Sequence, residues 1–192
     1  MFRAFGIDEV AVLDGGFPAW KKSGLKVEDF IDQDNSSLEK ETCQGVSSAE
    51  QHLLSREAVV SLISKDNANG SSNLIDARSN DRFTGKAPEP RAGLRSGHIP
   101  TSVNVPFSSL LVKNEGMTSF ASVEIQKQVF LDAGVNLKAK DFFFTCGSGV
   151  TACVPLLCLV EHFDVSFDNC KVYDGSFAEW GKPELNLPIE KS

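Results

Sequence analysis

One cysteine sits where a fold can turn a thiol into a nucleophile. In DFFFTCGSGVTACVPLLCLV an apolar strand is expected to end at Thr145. A loop then carries Cys146, Gly147, Ser148 and Gly149, and a helix is expected to begin near Val150. The two glycines let the loop curl with its backbone N–H groups inward, and a helix N-terminus adds partial positive charge. In parallel α/β sheets, ligands bind at the carboxyl ends of strands. A thiol there should have a lowered pKa and act as a nucleophile. The bland alternative is that Cys146 is a small buried apolar residue, as Cys153 and Cys158 are expected to be on the helix interior. Its place at the strand-to-helix turn favours the chemical role.

A second cluster could supply the binding charge. LIDARSNDRFTGKAPEPRAGLRSGHIPTSVNVPF places Arg78, Arg82, Lys86, Arg91 and Arg95 in a long loop between strands expected at 74–78 and 102–105, with Asp81 and Glu89 among them. Loops this long inside a compact domain are usually functional, and arginine binds carboxylates and sulfur oxyanions in a planar, bidentate way. For any single arginine a solvated charge or a structural pair, such as Arg78 with Asp76 or Glu89, competes with that role. His98, before Ile99-Pro100, reads as a structural residue bonded to backbone at a turn.

Two other motifs fit the cysteine loop less well. Gly147-x-Gly149-x-x-Ala152 matches a dinucleotide-binding pattern, but it lies late in the domain, and the acid at Asp174 follows at too long an interval. A phosphatase-type loop needs an arginine six positions after the cysteine, where this chain has Ala152.

The elements needed to position these groups are legible as alternating helix and strand signals. SREAVVSLISKD has helical spacing at Val59, Leu62 and Ile63, with Ser55 as N-cap. NLIDAR and SVNVPF read as strands. SVEIQKQVFLDAG reads as a helix with Ile125, Val129 and Phe130 on one face and Gly134 closing it. DFFFT is a strand, the segment after the cysteine loop is a helix with Pro155 near its first turn, and KVYDGS is a last strand. The pattern predicts an α/β fold, a parallel sheet flanked by helices on both faces. Residues 47–192 form this domain, residues 31–46 read as a polar linker, and residues 1–30 stand apart. In that first segment VAVL reads as a short buried strand, and VAVLDGGFPAW returns as CKVYDGSFAEW, with Asp14/Asp174, Phe17/Phe177 and Trp20/Trp180 in step.

Composition narrows the function classes. A net charge of −7 gives no footprint for nucleic acid or for an anionic membrane surface. No apolar run is long enough to span a bilayer, and no targeting segment is read in the chain. Five cysteines, no C-x-x-C and three scattered histidines argue against a disulfide framework or a metal site, and no cofactor is expected. Free thiols fit a reducing compartment, cytoplasmic or mitochondrial.

The combination of DARSNDRFTGKAPEPRAGLRSGHIPTSVNVPF, CGSGVTA and YDGSFAEW resembles the C-terminal domain of tandem rhodanese-type sulfurtransferases, over about residues 48–190. The resemblance implies a rhodanese-like fold and sulfur transfer through a Cys146 persulfide, from a small-molecule donor to an acceptor thiol such as thioredoxin or glutathione, or to cyanide. It implies that Arg82 and Arg91 hold the donor's carboxylate and keto group. Gly147, Ser148, Gly149, Val150 and Thr151 would surround the sulfur, with Ser148 activating the cysteine or protonating the departing enolate. Thiosulfate-preferring relatives carry Arg and Lys directly after the cysteine. Gly147 and Ser148 stand there instead, which favours 3-mercaptopyruvate over thiosulfate. Residues 1–30 resemble the closing strand and helix of a preceding rhodanese domain, so the chain is expected to be a truncated form.

Overall fold

The computed structural model describes residues 1–28, 49–69 and 73–192; the linker expected at 31–46 lies outside them. The chain divides into two compact units, Met1–Ala49 with Val112–Phe120, and Glu50–Leu111 with Ala121–Ser192.

In the first unit, helix α1 (Gly16–Lys22) starts at Gly15, whose φ of +79° favours glycine. The Asp14 carboxylate accepts the backbone N–H of Phe120 at 3.0 Å, and Lys22 pairs with Glu115. The buried strand expected at VAVL is not formed: Val12 and Leu13 are exposed, and the segment has no ladder partner among the described residues. A short apolar run becomes a strand only when a neighbouring strand takes its N–H and C=O groups. A cavity of about 420 Å³ in this unit is lined by Leu13, Phe17, Trp20, Lys26, Val27 and Glu28, with no cysteine, serine or threonine on its wall.

The second unit contains the predicted α/β domain. Strand β1 (Leu53–Leu54) leads into helix α2 (Arg56–Asn69), where the Ser55 hydroxyl accepts the Ala58 N–H at 3.2 Å as the expected N-cap. Strand β2 (Leu74–Asp76) precedes a one-turn helix α3 (Asn80–Phe83) and strand β3 (Val103–Asn104). A hairpin of β4 (Leu111–Asn114) and β5 (Met117–Phe120), which belongs from Val112 onward to the first unit and which the sequence pattern did not predict, interrupts this domain. Helix α4 (Val123–Asp132), strand β6 (Phe142–Thr145), helix α5 (Cys153–His162), strand β7 (Cys170–Tyr173) and helix α6 (Ser176–Trp180) complete it. Strands β1-β7-β6-β2-β3 form one parallel sheet in that order.

Alternation along the strands gives each face its own core. Leu74, Phe143 and Tyr173 pack with Val59 and Ile63 of α2 and with Phe177 and Trp180 of α6. Helix α5 packs on β6 and on the 3-10 turn Phe107–Leu110, which also meets α4. Helix α4 buries Gln126 and Phe130, while Ile125, expected on its inner face, is 51% exposed. The Gln126 amide donates to the Ala121 carbonyl at 2.7 Å, and its oxygen meets His162 at 2.7 Å, so a polar residue can occupy that inner position.

Candidate active site

The site forms where β2 and β6 end side by side. Asp76 pairs in register with Thr145, and the Ala77 N–H donates to the Thr145 carbonyl at 2.9 Å, which brings the arginine loop to the cysteine. Cys146 follows directly and is 1% exposed. The loop after it is pulled down on one side by α6: the Phe177 N–H donates to the Cys146 carbonyl at 2.9 Å and the Ala178 N–H to the Gly147 carbonyl at 3.1 Å. With its carbonyls occupied, the loop turns its amides toward the sulfur. The Ser148 N–H lies 3.5 Å from Sγ.

Burial alone would push the Cys146 thiol up. Hydrogen bonds from the Thr151 hydroxyl and the amides of Ser148, Ala152 and Gly149 outweigh it and bring the thiol below its ordinary value. The other buried cysteines show the opposite balance. Cys158 and Cys170 lack such donors, and burial pushes both up to about 12. Gly149 has φ +82° and lies against the Asp174 backbone, so a side chain there would be strained.

Beside the loop is a cavity of about 290 Å³ whose wall includes Arg82, Arg91, Phe107, Gly147, Ser148 and Thr151. Arg91 Nη1 donates to the Gly147 carbonyl at 3.2 Å. Arg82 donates to the two oxygens of Glu89, from Nε at 3.0 Å and from Nη2 at 2.5 Å. That hydrogen bond, with nearby carboxylates, raises the Arg82 pKa above its ordinary value despite the cost of burial. A Cβ on Gly147 would fall 2.7 Å from Arg82 Nη2, so glycine at this position lets the guanidinium lie against the loop. The arrangement is an activated thiol next to a cavity lined by Arg78, Arg82 and Arg91 against the single acid Glu89, a net positive wall suited to a small anionic electrophile.

A rhodanese-like domain model matches residues 55–183, the greater part of the chain. The chain belongs to the rhodanese family. It is 34% identical over 190 residues to the 3-mercaptopyruvate sulfurtransferase of Escherichia coli (strain K12), covering 99% of this chain and 61% of that one. It is 38% identical over 187 residues to the mouse 3-mercaptopyruvate sulfurtransferase, covering 94% and 55%. Among solved structures, Saccharomyces cerevisiae Tum1 superposes with a TM-score of 0.75 at 25% identity, over 99% of this chain and 63% of that one. Escherichia coli SseA, a 3-mercaptopyruvate sulfurtransferase, gives 0.68 at 29%, over 92% and 59%. This rhodanese-family chain thus spans little more than half the length of these curated relatives.

Within this rhodanese fold, the cavity wall collects Arg82, Arg91, Gly147, Ser148 and Thr151, and the Gly149 amide bonds the sulfur. Val150 turns its side chain away from the cavity. Its side chain is 73% exposed, and the amides that bond the thiol are those of Ser148, Gly149 and Ala152. Helix α5 begins at Cys153, not near Val150, because residues 150–152 form a turn that feeds it. Pro155 then falls in the first helical turn, where no N–H is required. Cys153 is exposed, contrary to its expected place in the helix interior. His98 has the structural role expected of it, with Nδ1 2.9 Å from the Phe83 carbonyl.

Sequence reasoning treated Glu89 only as a structural partner for Arg78. It also grips Arg82, and the paired arginines and acids in one loop were the signal available for that link. The role of Phe177 and Ala178 in holding the cysteine loop had no signal beyond the repeated phrase itself.

Proposed function

We propose that the domain moves sulfur from 3-mercaptopyruvate, and less well from thiosulfate, to a thiol or cyanide through a persulfide on Cys146. The observation that carries this reading is the Cys146 sulfur, with the Ser148 N–H 3.5 Å away and its pKa lowered by hydrogen bonding that outweighs burial, next to a cavity bearing Arg82 and Arg91. The arginines bind the donor carboxylate and keto oxygen and bring its sulfur to the thiolate. The Cys146 thiolate attacks that sulfur, the donor's C–S bond breaks, and its electron pair passes to carbon as the pyruvate enolate. Protonation of the enolate, which we assign to the Ser148 hydroxyl, gives pyruvate. The amides that stabilise the thiolate then stabilise the persulfide anion. An acceptor thiolate or cyanide takes the outer sulfur and returns Cys146 to thiolate. Gly147 and Ser148 add no charge beside the cysteine, which suits a monoanionic 2-oxo acid better than dianionic thiosulfate.

A second reading keeps the same thiol and cavity but makes the domain a persulfide carrier or partner-binding module without useful turnover. Incubation with 3-mercaptopyruvate and a thiol, followed by pyruvate and sulfide release, separates the two. Continuous release abolished by Cys146→Ser supports the enzyme, whereas one stoichiometric burst supports the carrier. A higher kcat/KM for thiosulfate would overturn the donor preference.

A further inference from the structure

Arg78 has no accessible side-chain surface, and the proposed chemistry does not use it. Its Nε and Nη2 donate to Asp76 Oδ2 at 2.9 and 2.6 Å, and Nη2 also donates to the Gly97 carbonyl at 2.9 Å. Its guanidinium carbon lies 3.7 Å from the centre of the Phe177 ring. Asp76 already balances its charge, yet Nη1 reaches a second carboxylate, Glu89 Oε1, at 2.9 Å. Glu89 is also buried, and both of its oxygens accept from Arg82. Two arginines and two acids form one charge-balanced row that runs from the sheet to the cavity.

The row leaves Arg82 in a defined pose. Glu89 occupies its Nε–Nη2 edge, and Nη1 has no hydrogen-bond partner among the described residues. We propose that Arg78 and Glu89 are positioning residues: Arg78 anchors Glu89, and Glu89 grips one edge of Arg82 so that its remaining N–H groups point at an anionic donor. The inference rests on the site assigned above. A guanidinium on a long side chain would otherwise sample many rotamers, and fixing it in advance reduces the ordering cost of binding.

The test uses Glu89→Gln in the full chain and compares Cys146 alkylation by anionic iodoacetate with that by neutral iodoacetamide. Their rate ratio reports a cation aimed at the approach to the thiol, and it needs no sulfur donor. Removing a buried negative charge would by itself raise the ratio. Loss of aim lowers it, and we expect a fall of about tenfold, the size of one charge-assisted hydrogen bond. The iodoacetamide rate should hold, and the KM for 3-mercaptopyruvate should rise with kcat little changed. A ratio that rises or stays constant overturns the proposal. Arg78→Lys, which keeps the charge and loses the fork, should lower the ratio as well; if it does not fold, Glu89→Gln decides. A wild-type chain without turnover would sink the sulfur-transfer reading and leave the alkylation ratio able to decide this one.

Discussion

The Phe177 backbone amide holds the Cys146 carbonyl at 2.9 Å, while the Phe177 ring is fully buried under the Arg78 guanidinium. The backbone of this residue serves the site and its side chain serves the core. Phe177→Leu keeps the amide and loses the ring, so it should cost about 1–2 kcal/mol of stability through lost packing and cation–π contact. The pH midpoint of Cys146 alkylation should stay where it is. Urea unfolding and iodoacetamide kinetics measure the two effects separately.

Thr151→Val tests the hydroxyl that bonds the Cys146 sulfur. The substitution preserves shape and removes the donor, so the thiolate loses a hydrogen bond to a charged group, worth about one pKa unit. The alkylation midpoint should move up by that amount. An unchanged midpoint would assign the lowered pKa to the loop amides alone.

Gly147→Ala should act on Arg82. The added methyl would meet the far end of that side chain, 2.7 Å away, and not backbone. Thermal stability should therefore change little, while the KM for 3-mercaptopyruvate rises about tenfold as the guanidinium is displaced. A fall in melting temperature with KM unchanged would contradict this account.

The buried thiols set a limit on alkaline stability. Cys158 and Cys170 ionise near 9.0 when unfolded, and burial pushes both up to about 12 in the folded chain. Above pH 9 the unfolded state therefore loses protons that the folded state keeps, and stability falls as pH rises toward 12. Tyr173, raised chiefly by burial and also by its bond to Glu179, contributes in the same direction. The double variant Cys158→Ala/Cys170→Ala should show a shallower decline in unfolding free energy over that window. An equal slope in both proteins would remove the thiols as the cause.

Where local chemistry decides the outcome, the sequence was readable. Ser55 caps α2, Gly134 with φ +81° follows α4, and Cys146 sits at the strand end because apolar runs, caps and glycines act over a few residues. The β4–β5 hairpin was hidden because its turn places Glu115, an unusual residue at positive φ, before Gly116. The inner face of α4 was misassigned because buried Gln126 depends on partners far along the chain, at His162 and Ala121. The Glu89 grip on Arg82 is likewise tertiary, since residue types can suggest a pair but not which arginine an acid will hold.

The repeated phrase ends in tryptophan both times, and the chain has only these two. Trp180 is fully buried, with Nε1 bonded to the Pro188 carbonyl at 2.8 Å, whereas Trp20 is 39% exposed. The two units therefore carry separate optical probes of different colour. Emission from Trp180 should be blue-shifted and shielded from iodide, and emission from Trp20 should lie further to the red and be open to quenching. Selective quenching lets the unfolding of each unit be followed in the unlabelled chain.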